Sequence, residues 1–409
     1  MAAFIVRNAR LAGVDALVDV AVENGTITDI APNVQAGAPC FDAGGNLLTR
    51  GFAESHIHLD KACILDRCAN ATGTLQGAVA AVSEAKRRFT ADDIHSRGRR
   101  VIEKAIVQGT NAMRTHVEID PGIGLQGFHA IRQLKADYAW GIDVEICVFP
   151  QEGMINNPGT EELLREALDT GADLLGGCPY MDSDPDEQIR RLFVMARDYD
   201  VDLDFHLDFD LDPSWRHLDE VARQTMAHRW QNRVAIGHVT KLSVLPKAQL
   251  METAQILKDA GITLTVLPAT DLFLMGREHG HSVPRGVAPA HELMRAGVNC
   301  TIATNNVLNP FTPFGDCSLT RMANLFANIA QLGTLLELEL CFAMVADNPF
   351  RLMKRNNAIE VGSPATFIVL PATSPALAVA EIARPVWGMK DGRVSFEHPA
   401  AKIHAPFVS

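Results

Sequence analysis

Residues 52–61 read FAESHIHLDK. An apolar start leads into His56 and His58, one residue apart, and then at once into Asp60 and Lys61. In a β-strand, side chains two residues apart share a face and lie roughly 7 Å apart at ~3.3 Å rise per residue. If this stretch ends a strand, both imidazoles leave it on one side and can close on a single metal ion. The alternative is two hydrogen-bonded polar residues at a strand terminus. What other strands bring to the same place decides between them.

Eight short apolar runs are spaced along the chain: LLTRGFAESHIH, NAMRTHVEID, DVEICVFPQ, ADLLGGCP, DLDFHLD, VAIGHV, ITLTVLP and NCTIATNN. Amphipathic segments such as TEELLREALDTG and DEQIRRLFVMARDYD lie between several of them. Alternating β and α elements imply a parallel sheet, and eight such units predict an α/β fold closed as a (β/α)8 TIM barrel. A doubly wound open sheet is the alternative, but no G-x-G-x-x-G turn follows the first run.

A barrel of this kind carries its chemistry at the C-terminal ends of its strands. The residues at those ends are His56 and His58, His116 and Glu118, Gln151, a Gly-Gly-Cys-Pro turn, His206 with Asp208, His238, Asp271, and Asn305-Asn306. His206 or His238 alone reads as a satisfied structural histidine. Histidines at four strand ends of one rim read as a metal site.

The two ends of the chain follow a different rule. DVAVENGTITDIAP alternates apolar and polar residues around Asn24-Gly25, and VWGMKDGRVSFEH does so around Asp391-Gly392. Both dipeptides suit the φ > 0 positions of a type I′ hairpin turn. The two hairpins predict one small β-sandwich domain, built from residues 1–49 and 358–409, beside a barrel over residues 50–357.

Composition sets the outer limits. The 409 residues are 47% hydrophobic, ample for a large core, and carry a formal net charge of −12. That balance argues against nucleic-acid binding, which needs a basic face. No run approaches the ~20 apolar residues of a membrane span, and the N-terminus lacks the basic and apolar regions of a signal peptide. Cys40, Cys63, Cys68, Cys147, Cys178, Cys300, Cys317 and Cys341 are scattered, with no C-x-x-C pair. Reduced thiols and a cytoplasmic location are the expectation. The expected partners are a small-molecule heterocyclic substrate and further copies of the chain as a homo-oligomer, with no nucleic acid and no membrane.

The stretches GFAESHIHLDK, MRTHVEID, VFPQEGM, TEELLREALDTGADLLGGCPY, DLDFHLD, IGHVTKLS, NNVLNPFTPFGD and VGSPATFIVLPA run in one order over nearly the whole chain. In them the chain resembles the amidohydrolase superfamily and, within it, the bacterial cytosine deaminase group. The resemblance implies one divalent metal ion (Zn, or Fe or Mn) held by His56, His58 and His206, with His238 as a further ligand or turned toward the metal's water. It also implies that Gln151 hydrogen-bonds the substrate ring and that Phe311 packs against it. For Gln151 a loop-capping role is the alternative, and for Phe311 core packing. The third and fourth runs contain no lysine, so the carbamylated lysine of two-metal members is missing.

The chain also departs from the pattern. Where the resemblance implies an aspartate after the eighth strand, this sequence has Asn305, and Asn306 and Asn309 also replace aspartates. Where cytosine deaminases carry a glutamate after the fifth strand, it has Phe209. An amide can ligate or hydrogen-bond but cannot take up and deliver a proton, a service worth ~10²–10⁴ in rate. Asp208, two residues beyond His206, is the nearest replacement and is expected on the same strand face. Phe209 would then alternate to the other face, and Lys61 is expected to pair with Asp60, with contact to an anionic group as the alternative. The function implied is a deaminase-type hydrolase attacking a C–N bond of a cytosine-like pyrimidine, triazine or pterin with metal-bound hydroxide. Catalytic roles fall to Asp208, His238 and Asn305. The rival is a non-hydrolytic barrel (a binding protein, lyase or isomerase), for which the losses at 209 and 305 speak.

Overall fold

The structure, a computed structural model, describes residues 3–404 except 36, 69, 357 and 400. The last residues assigned above to the terminal domain, 405–409, lie outside the described residues. Five strands precede the barrel: β1 (Phe4–Ala9), β2 (Val18–Glu23), β3 (Thr26–Ala31), β4 (Cys40–Asp42) and β5 (Leu47–Thr49). The barrel strands are β6 (Phe52–Ile57), β7 (Thr110–Glu118), β8 (Asp143–Phe149), β9 (Leu174–Gly177), β10 (Asp202–Leu207), β11 (Val234–His238), β12 (Thr263–Val266) and β13 (Cys300–Ile302). After them come β14 (Phe367–Leu370), β15 (Trp387–Lys390) and β16 (Arg393–Glu397).

The eight middle strands pair in parallel and in chain order. The last step of the circle, from β13 back to β6, is made by a bridge between Ile57 and Asn305. There the His58 N–H donates to the Asn305 carbonyl at 2.8 Å, and the Asn305 N–H to the His56 carbonyl at 2.9 Å. The H-x-H segment therefore does structural work as well: it fastens the first strand to the chain beyond the eighth. The amphipathic segments form helices as their periodicity requires, among them Thr160–Asp169 and Pro185–Tyr199. Among the described residues, no helix is long and apolar enough to cross a membrane.

The termini form two four-stranded sheets, ordered β3-β2-β1-β4 and β16-β15-β14-β5. Asn24 and Gly25 take φ of 49° and 85°, and Asp391 and Gly392 take 49° and 78°, as a type I′ turn demands. The two turns touch. A Cβ on Gly392 would lie 2.5 Å from the Gly25 Cα, so glycine is required there by contact as well as by φ. Val6, Val20, Val22, Leu48, Phe367, Val369 and Met389 share a core around Trp387, whose ring stacks on Phe41 at 5.0 Å. The run LLTRGFAESHIH divides at Gly51: Leu47–Thr49 pairs with β14, and the rest enters the barrel. Gly51 has φ +86°, and a Cβ there would sit 2.4 Å from Asn111 Nδ2.

Candidate metal centre and substrate pocket

His56 and His58 at the end of β6 and His206 in β10 converge on one point. His206 Nε2 lies 3.0 Å from His56 Nε2 and 3.1 Å from His58 Nε2. Burial, reinforced by neighbouring imidazoles and, at His58 and His206, by Lys61, pushes all three pKa values well below the usual histidine range. The rings are therefore neutral, and their Nδ1 atoms are buried without hydrogen-bond partners. Two nitrogens bound to one tetrahedral Zn²⁺ at ~2.05 Å would sit about 3.3 Å apart. The triad has the right donor atoms, spacing and charge state for a divalent cation.

His238 closes β11 but stands outside the triad, its ring centroid 5.8 Å from that of His206. Its Nδ1 lies 2.6 Å from Asp271 Oδ1. Because a carboxylate accepts, the ring proton sits on Nδ1, and Nε2 is left as the basic atom. His238 and Val239 both take left-handed backbone, with φ of 67° and 48°, a cost concentrated at a strand end that carries chemistry. Behind the triad, His116 stacks on His56 at 3.8 Å between ring centroids. Its Nε2 is 3.5 Å from Asp204 Oδ1.

Asn305, also left-handed at φ 65°, donates from Nδ2 to Thr270 Oγ1 at 3.1 Å. Its Oδ1 is buried without a partner. Asn309 has work that an aspartate could not do, because it both donates and accepts. Asn309 Nδ2 donates to Asn306 Oδ1 at 2.7 Å and to the Lys61 carbonyl at 3.2 Å. Its Oδ1 accepts from the N–H groups of Phe311 and Thr312.

Three placements differ from the expectations. Asp208 does not share the His206 face. The strand ends at Leu207, Asp208 takes φ 47°, and its carboxylate accepts the N–H groups of His217 and Leu218 at 2.9 and 3.1 Å. It caps the start of the helix His217–His228. With alternation broken there, Phe209 turns inward and stacks on His238 at 3.8 Å. Lys61 does not pair with Asp60, whose oxygens accept the backbone N–H groups of Lys61 and Glu118. Its Nζ donates instead to Glu118 Oε1 at 2.6 Å and Gln151 Oε1 at 3.1 Å.

Gln151 Nε2 in turn faces Cys178 Sγ at 3.4 Å, and Lys61 Nζ lies 4.6 Å from the centroid of Phe311. Lys61, Gln151, Phe311, Tyr180, Thr270 and Asn306 line a narrow cavity of about 10 Å³ beside the triad, and among the described residues no carboxylate lines it. Tyr180 is a wall that the sequence reading passed over. It follows the Gly-Gly-Cys-Pro turn directly, and that position was the available signal.

The sequence model of the amidohydrolase family matches residues 115–396. The chain belongs to the amidohydrolase family. It is a hydrolase acting on C–N bonds. It is 26% identical over 403 residues to the N-isopropylammelide isopropyl amidohydrolase of Pseudomonas sp. (strain ADP), covering 95% of this chain and 96% of that protein. It is 28% identical over 366 residues to the pterin deaminase of Rhizobium rhizogenes, covering 87% and 82%. The crystal structure of 5-methylcytosine deaminase from Klebsiella pneumoniae with 5-fluorocytosine superposes with a TM-score of 0.93 at 29% identity, covering 98% and 99% of the two chains. The fold, the resemblance and the family thus agree.

Proposed function

We propose that this amidohydrolase releases ammonia or an amine from an exocyclic C–N bond of a small nitrogen heterocycle of the pyrimidine, triazine or pterin kind. The observation that carries the reading is the convergence of His56, His58 and His206 on one point beside a cleft lined by Lys61, Gln151, Phe209 and Phe311. Relatives named for an isopropylammelide, a pterin and 5-methylcytosine support the substrate class. His56, His58 and His206 would hold a divalent ion, with Zn²⁺ the best match to three imidazoles and Fe²⁺ or Mn²⁺ as substitutes. Bound there, it would supply a water activated near neutral pH and Lewis acidity toward the substrate.

The chain's own groups do the rest. Gln151 and Lys61 grip the ring, and Phe311 and Phe209 sandwich it against water. His238 Nε2 takes up a proton while Asp271 steadies the resulting imidazolium through Nδ1. Asn305 Oδ1 accepts a hydrogen bond from the attacking water and orients it. Asp208 keeps to its helix cap. In the same reading, residues 50–357 form the hydrolytic unit, and 1–49 with 358–409 a composite β domain.

The direct test is release of ammonia or amine by purified, metal-loaded protein from a panel of aminopyrimidines, aminotriazines and pterins. No release from any of them overturns the reading. The assignment of the base has its own test. Asp271→Asn is expected to lower kcat by ~10²–10⁴, the usual worth of a general base. Asn305→Asp is expected to change it by less than about tenfold, because His238 already moves the proton. A rise of several orders of magnitude in Asn305→Asp would mark the chain as a disabled hydrolase.

A further inference from the structure

Lys61 and Gln151 bring hydrogen-bond donors to the pocket beside the triad. Lys61 has three N–H groups and no acceptor. Two of them are spent on Glu118 Oε1 and Gln151 Oε1, and Lys61 lines the pocket with only 2% of its surface exposed. Its ammonium also fixes the Gln151 carboxamide. A flipped amide would put NH₂ against NH₃⁺, so Oε1 faces Lys61, and Nε2, which also faces Cys178 Sγ at 3.4 Å, is the amide atom that can donate to a ligand. A ring N–H offered to Oε1 would have to share that oxygen with a full positive charge.

The carboxylates that could balance a positively charged ring are committed elsewhere. Glu118 is held by Lys61 and Lys86, Asp271 by His238, and Asp208 by two backbone N–H groups. Phe209 offers only a ring face. A cationic ring therefore finds no carboxylate in this pocket to balance its charge. A ring that presents a carbonyl beside a deprotonated nitrogen finds an ammonium and an amide NH₂.

We propose that the site binds its substrate as an anion: an oxo-heterocycle whose ring N–H has ionised, with the carbonyl and the bare ring nitrogen docked on Lys61 Nζ and Gln151 Nε2. This deepens the hydrolase reading and rests on its pocket, but it concerns the charge state of the bound ring, which binding alone can test. An exposed Coulombic pair would be screened. Lys61 is already paired with Glu118 at 2.6 Å, so an anion would join a buried ion pair, and its contact with the ammonium in a water-poor pocket is not screened in that way.

The probes are uracil, 5-fluorouracil and 6-azauracil, rings of nearly equal size and rising N–H acidity, titrated into metal-loaded protein by calorimetry from neutral to alkaline pH. The expected result at neutral pH is affinity in the order 6-azauracil, 5-fluorouracil, uracil, with about tenfold or more between the extremes. That gap should close as the pH rises past the ionisation of uracil itself. Lys61→Met should erase the ranking and Lys61→Arg should retain it. Equal affinities at neutral pH, tighter binding of the neutral rings, or no binding of any of the three would overturn the proposal. Failure of the hydrolase reading shows separately, as a substrate panel that releases no ammonia or amine whatever the binding order.

Discussion

His206→Ala is expected to yield a folded protein that no longer retains a divalent metal, with kcat/KM lowered at least about a thousandfold. His206 is the hub of the triad: both short contacts, 3.0 Å to His56 and 3.1 Å to His58, end on its Nε2. Without it, only two imidazoles of the group His56, His58 and His206 remain, both from one strand. A metal that polarises the reacting carbon and acidifies water contributes several kcal/mol, and ~4 kcal/mol is about a thousandfold in rate. The ring also stacks on Phe149, with centroids 4.5 Å apart, so alanine leaves a cavity and a modest stability loss as well. The informative comparison is His238→Ala. His238 lies outside the triad, so that variant should keep its metal and lose kcat. Elemental analysis of both variants beside their rates settles the matter. Stoichiometric metal in His206→Ala would mean that the ion sits elsewhere, for instance against His116 and Asp204.

The fold was legible because its signals are periodic. Eight apolar runs alternating with amphipathic helices leave few topologies, and Asn-Gly and Asp-Gly announce hairpins by the φ they tolerate. The rim positions of His56, His58, His206 and His238 followed from the barrel rule. The orientation of residues just past the strand ends did not. Alternation holds inside a strand, and the inference for Asp208 and Phe209 assumed that β10 continued. Asp208, His238 and Asn305 all take left-handed backbone at these ends, and none is a glycine that would have flagged the turn. The partner of Lys61 was illegible for another reason. The adjacent Asp60 is the obvious choice in sequence, yet its oxygens are taken by backbone N–H groups. The actual partner, Glu118, arrives on the next strand, 57 residues away. Local sequence names which groups carry charge, and closure of the barrel decides which of them meet.

That same closure makes Lys86 the residue whose loss should cost the most stability. It is the last residue of the helix Leu75–Lys86 and is 4% exposed. Its Nζ contacts Glu118 Oε2 at 3.2 Å, Asp120 Oδ2 at 2.6 Å and Glu152 Oε1 at 2.5 Å. Lys86→Met keeps the length of the side chain and removes the charge, leaving three carboxylates gathered on an apolar tail. Breaking one side of a buried ion-pair cluster costs ~3–5 kcal/mol because the remaining charges stay desolvated and uncompensated. The expected reading is a lower denaturant midpoint at unchanged slope, with partial recovery in Lys86→Arg.

The acid side of the stability profile should change with it. Burial raises the Glu118 pKa, but the Lys61 and Lys86 ammoniums outweigh it and bring the value from the ordinary 4.5 down to about 2. A carboxyl depressed on folding contributes stability that is present above its unfolded pKa and fades as the pH falls toward the folded one. In the intact protein that fading spans the interval from 4.5 to about 2. Without Lys86 one of the two ammoniums is gone, the folded pKa of Glu118 rises, and the interval narrows from its acid end. Because Glu152 adjoins Gln151 in the chain, the variant should also raise KM more than it lowers kcat. A Lys86→Met protein with an unshifted midpoint and an unchanged acid limb would mean that water already screens the cluster, and that Lys61 alone holds Gln151 in place.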